Sequence, residues 1–124
     1  MVQELASHCY WDRERELLAI YGRTSIRFIS RDGIDEVPRK RFAGIMRNGI
    51  NHQELLDLKS KHNDLESENE GFDQNFTPWD QVKFFRIRGN TLCYQLKNRN
   101  VSIIIPNHFL FKNMECFKSS IWKN

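Results

Sequence analysis

A chain of 124 residues with 40% hydrophobic and 28% charged residues has the composition of one folded domain spanning 1–124, and excludes a disordered chain. No apolar run reaches the roughly 20 residues that a bilayer-crossing helix needs, and the first 18 residues lack the basic start and apolar stretch of a signal peptide. The net charge of +3 is unevenly spread, with −6 over residues 51–80 and +7 over residues 81–124, a polarity that suits an acidic partner or an internal complement.

Taken in chain order, "DRERELLAIY" (12–21) combines strong helix formers with an acidic first turn and Gly22 as a stop, which predicts a helix. "RTSIRFIS" (23–30) alternates, with Ile26 and Phe28 on one side and Arg27 and Ile29 on the other, so it reads as a strand running into the "RDG" turn. "IDEVPRKRF" (34–42) has room for a short strand before Pro38, while "FAGIM" (42–46) has no decisive period. Residues 52–66 predict a helix with Leu55, Leu58 and Leu65 on roughly one face. "ESENEGFDQN" is acidic and rich in turn formers. The whole stretch of about 48–76 therefore reads as a helical and acidic insertion with a mobile loop over 67–76.

The clearest structure lies between Phe76 and Phe111. Phe85 and Ile87 share one face of a first strand, and Val82, Phe84, Arg86 and Arg88 the other. Gly89-Asn90 supplies a tight turn. Leu92, Tyr94 and Leu96 alternate along a second strand, and "VSIIIP" reads as a buried third. Trp79 is expected to be buried where the chain enters this antiparallel meander. Met114, Phe117 and Ile121 then recur at helical spacing, with Asn113 as the N-cap, which predicts a C-terminal amphipathic helix lying on the sheet.

Three short pieces carry a resemblance. "SRDGI" (30–34) is similar to a strand-end turn, "PWDQV" (78–82) to a Trp-containing entry into a meander, and "IIIPNHFLF" (103–111) to an apolar strand followed by Pro and Phe, in bacterial pleckstrin-homology-like domains of the YcxB-like family. The resemblance implies an α+β fold with an antiparallel barrel or half barrel and a C-terminal helix. It implies no catalytic or binding residues, because that family has no defined activity to carry over.

Chemistry-bearing patterns are sparse. Cys9, Cys93 and Cys116 fit no metal or redox spacing and lie in or near apolar segments. They read as reduced structural thiols of a cytoplasmic protein. His52, His62, Asp57 and Glu66 form an incomplete ligand set, so no metal and no cofactor is expected. His108 could serve a hydrolase only with further polar partners.

Basic residues stand out instead. Arg86, Arg88, Lys97 and Arg99 are expected to form a basic sheet edge that binds another macromolecule without catalysis. The favoured partner is a protein with an acidic surface, as for an inhibitor or immunity-type protein, since Arg pairs bidentately with carboxylates. The alternative is a nucleic acid or an anionic membrane, with Phe84, Phe85 and Tyr94 as a stacking platform for single strands.

Overall fold

The computed structural model describes residues 3–47, 49–65, 75–107, 109 and 114–121, with 61–65 and 114 by backbone alone. The first departure from expectation comes early. Residues 12–21 form no helix. Strand β2 (His8–Asp12) ends where the helix was expected to begin, residues 13–16 turn, and β3 (Leu17–Tyr21) runs back antiparallel.

The turn is closed by Asp12. Its carboxylate accepts the Arg15 amide at 2.9 Å and the Arg15 guanidinium at 2.8 Å, while Glu16 takes a positive φ of 50°. The reason lies in burial. Leu18 and Ile20 enter one apolar cluster, Ala19 and Tyr21 a second. A segment buried on both sides needs no alternation, and its continuous apolar run outweighs the helix propensity of the charged residues beside it.

β4 (Ser25–Ile29) and β5 (Gly33–Pro38) extend the meander, and β6 (Phe76–Pro78) pairs with the start of β5, giving the order β2-β3-β4-β5-β6. Gly33, at φ 152°, is required here: a Cβ would lie 2.2 Å from the Thr77 carbonyl oxygen and 2.9 Å from the Pro78 Cα. A 3-10 turn over Arg39–Phe42 leads into the single-turn helix α1 (Ala43–Met46) and then α2 (His52–Leu65).

Helix α2 supplies a layer of the fold. Leu55 and Leu56 are buried against Tyr21, Ile26, Phe28, Val37 and Phe42, with Leu58 partly buried beside them. Lys59 lies over the Phe28 ring and reaches Asp35 Oδ2 at 3.1 Å. The stretch 66–74, which holds most of the expected mobile loop, is outside the described residues.

The second sheet holds the expected three strands, β7 (Phe84–Arg88), β8 (Thr91–Gln95) and β9 (Asn100–Ile104), and a short β1 (Gln3–Leu5) parallel to β9, in the order β1-β9-β8-β7. Leu92, Tyr94, Val101 and Ile103 pack against Leu18, Ile20, Ile29 and Ile34 of the first sheet. Helix α3 (Met114–Ile121) adds Phe117, edge-on to Trp11 at 6.0 Å. The expected α+β architecture with a C-terminal helix is therefore present.

The two sheets do not close into a barrel. The chain turns a corner at each edge instead. At one, consecutive amides go to opposite sheets, Ala6 N to Ile104 O at 3.0 Å and Ser7 N to Tyr21 O at 2.9 Å. At the other, a 3-10 turn (Trp79–Gln81) joins β6 to β7. Trp79 is half-buried there rather than enclosed. It packs edge-on to Phe85 at 5.1 Å and donates its indole N–H to the Ser30 carbonyl at 2.8 Å.

Candidate functional site

Strand alternation puts charged residues on inward faces at one end of the sandwich. Arg27 of β4 follows the parity of Ile29, Glu36 of β5 that of Ile34, and Tyr94 of β8 that of Leu92. Arg27 and Glu36 are register partners across the β4–β5 ladder. Arg27, 4% exposed, donates Nε to Glu36 Oε2 at 3.0 Å. Its Nη1 and Nη2 fork onto the Glu4 carboxylate of β1 at 2.8 and 3.1 Å. Tyr94 Oη donates to Glu36 Oε2 at 2.6 Å, and the Arg99 guanidinium caps Glu36 Oε1 from the β8–β9 turn.

Every charge in this seam is therefore paired and hydrogen-bonded, the condition under which buried ions are tolerated. The Arg27 hydrogen bonds hold Glu4 below its usual carboxylate range, against the opposing effect of burial. Burial is the largest single effect on Arg27 and works against its charge, but the bond to Glu4, together with the charge of Glu4 and the neighbouring Tyr94, outweighs it and raises its pKa. Burial followed by the nearby Arg27 charge lowers Arg99, and burial pushes the Tyr94 phenol up to about 12. Gly22 makes the close approach possible, because a Cβ there would run into both the Glu4 carboxylate and the Arg27 guanidinium.

Two clefts flank the seam and share Arg99. One, of about 730 Å3, is lined by Glu36, Thr77, Asp80, Lys83, Lys97 and Arg99. The other, of about 610 Å3, is lined by Ser7, Arg23, Thr24, Arg27, Arg39 and Arg99, among others.

The four arginine and lysine positions expected to form one basic edge fall into two groups. Arg86 and Arg88 are exposed on the outward face of β7, an edge strand, with Arg86 4.6 Å from the centre of the Phe84 ring. Lys97 and Arg99 line the first cleft. Arg99, although 51% exposed, turns inward to Glu36. Arg88 pairs with Thr91 at the far end of the β7–β8 hairpin, whereas Phe84 pairs with Gln95 beside the β8–β9 turn, so Arg88 and Arg99 stand at opposite ends of the sheet.

The three aromatics expected as a stacking platform do not share a face. Tyr94 is buried and Phe85 packs into the core against it, which leaves Phe84 alone outside. His108 is outside the described residues.

A second polar cluster sits where α2 begins. His52 stacks between Tyr10 at 4.2 Å and His8 at 5.0 Å, and its Nδ1 meets Tyr21 Oη at 2.8 Å. Burial, then the neighbouring His8, lowers the His52 pKa. The His8 and His52 rings lie 9° from parallel, so their nitrogens do not converge on a common point. Among the described residues no group of His, Cys, Asp or Glu could hold a metal ion. Cys9 is buried, with its thiol raised to about 12 by desolvation; Cys93 faces Ser102 at 3.5 Å, and all three cysteines are free.

The residues that sequence reasoning missed are Glu4, Arg23, Arg27, Glu36 and Arg39. The signal for two of them was present: Arg27 and Glu36 interrupt otherwise apolar strand faces, and a charge on an inward face demands a partner. Comparison of the chain with protein-family models, curated proteins and solved structures finds no match.

Proposed function

We propose that this protein is a non-catalytic binding module for an acidic protein partner, of inhibitor or immunity type, and that the partner docks along β7. One observation carries the reading. β7 ends its sheet, and it presents Arg86 and Arg88 outward with no carboxylate paired to either among the described residues. An edge strand offers main-chain groups to an added strand, and arginines on alternate positions select acidic side chains two residues apart in it. Lys97, at the other end of the same sheet, extends the positive field without touching the pair. The three free cysteines suit a cytoplasmic setting. Two mainly antiparallel sheets with a C-terminal helix support kinship with YcxB-like, pleckstrin-homology-like domains.

The test is an Arg86→Glu/Arg88→Glu variant, checked for folding by circular dichroism and assayed by biolayer interferometry against the partner recovered from the native cell. Association is expected to slow at least about tenfold at low salt, with much of the remaining affinity surviving higher salt. An unchanged association rate removes β7 from the account. A loss of wild-type affinity of about a thousandfold between 50 and 200 mM salt points instead to a polyphosphate partner, nucleic acid or membrane.

A further inference from the structure

We propose that the 610 Å3 cleft beside β1 binds a phosphate dianion carried by a small soluble compound, a phosphomonoester. The charge balance around the cleft motivates it. Arg27, Arg99, Glu4 and Glu36 neutralise one another. Arg23 and Arg39 line the same cleft and have no carboxylate partner among the described residues.

These two arginines converge on one turn. The Arg39 guanidinium donates to the Gly22 carbonyl at 2.7 Å, and its amide donates to the Thr24 carbonyl at 2.9 Å, with Arg23 between those two acceptors in sequence. Two arginines lining one cleft without a carboxylate partner match a doubly charged tetrahedral group better than two separated carboxylates. Ser7 and Thr24 also line the cleft, and Ser7 Oγ, which donates to the Tyr21 carbonyl at 3.1 Å, lies 3.5 Å from Arg39 Nη1.

The floor of the cleft already holds one oxyanion, Glu4 in the fork of Arg27, and that pairing screens an incoming anion from the carboxylate. The volume lies within the range of small-molecule pockets and exceeds what phosphate alone would fill, which leaves room for an organic remainder.

Calorimetric titration of the whole chain at pH 7.5, with ionic strength held constant by sodium chloride, tests the site using inorganic phosphate, phenyl phosphate and acetate as probes. Saturable binding of phosphate, tighter binding of phenyl phosphate and none of acetate are expected. Arg23→Gln should weaken phenyl phosphate at least about tenfold, the loss of a charge-assisted contact, and Arg23→Gln/Arg39→Gln should abolish it. Arg86→Gln/Arg88→Gln should leave it unchanged, which keeps this site separate from the β7 reading.

Arg39 also holds the Gly22 turn, so Arg23→Gln alone decides if the double variant does not fold; Arg23 is exposed and its side chain makes no hydrogen bond among the described residues. Unaltered binding in a folded Arg23→Gln variant, or acetate binding as well as phosphate, overturns the proposal. Binding to phosphatidic acid vesicles without binding to phenyl phosphate overturns the soluble ligand.

Discussion

The two sheets of this protein live in different surroundings. The five-stranded sheet is covered on both faces, by α2 on one side and by the second sheet on the other, and β3 and β4 each bury four residues in succession. Among the described residues, no other element packs as a layer on the outer face of the four-stranded sheet. Along β8 buried and partly exposed residues alternate, and on the outward face Leu5 is 67% exposed. The first sheet therefore carries stability on both sides, whereas the second has a face on which residues can change without cost to the core.

The sharpest way to break that contrast is Phe28→Ala, which empties the α2 side of the five-stranded sheet. Phe28 is enclosed by Phe42, by the α2 leucines and by the Lys59 ammonium. A loss of about 3–5 kcal/mol is expected in urea unfolding. A loss below about 1 kcal/mol would mean that α2 is not a layer of the core.

A smaller effect should appear with pH, again on the α2 side. The folded-state pKa of His52 is below that of the unfolded chain, so the unfolded state takes up the proton first as pH falls. The His52 contribution to stability is thus fully present above the ordinary histidine pKa of about 6.5 and declines below it. Tyr10, Tyr21 and His8 face the ring, and none of them supplies a negative charge at these pH values to reverse the sign. Urea midpoints at pH 8 and pH 5.5 should differ more for the wild type than for His52→Gln; equal differences would count against this assignment.

The smallest effect belongs to the bare face. Leu5→Ser should shift stability by no more than about 0.5 kcal/mol. A larger loss would show that something covers that face, and would make the two sheets alike.

The same contrast decides what could be read from the sequence. Alternation was legible wherever one face meets water: the parity of Phe85 and Ile87, and of Leu92 and Tyr94, matches the observed core. "LLAIY" was misread because burial on both faces erases the period of two, and the charged residues before it favoured a helix. Arg86 and Arg88 were placed on one exposed face correctly. Arg99 was assigned to the same edge because its partner Glu36 is 63 positions away in sequence, and no local pattern signals a bond over that distance. The cleft arginines were missed for a related reason: Arg23 and Arg39 line one cleft only because β4 and β5 fold back on each other.

The pairing of β1 with β9 has a consequence for synthesis. β2 to β5 pair only with sequence neighbours, so that meander can form while the ribosome is still extending the chain. β1 is made before the rest of the fold, yet its ladder partner, β9, emerges only after β2 to β8 have been made. Glu4 can reach Arg27 early, but the backbone of β1 must wait until β9 has been made. Until then Ile20, Ile29 and Ile34 face outward with no opposing sheet, and the nascent chain is at its most vulnerable to aggregation just before β9 appears.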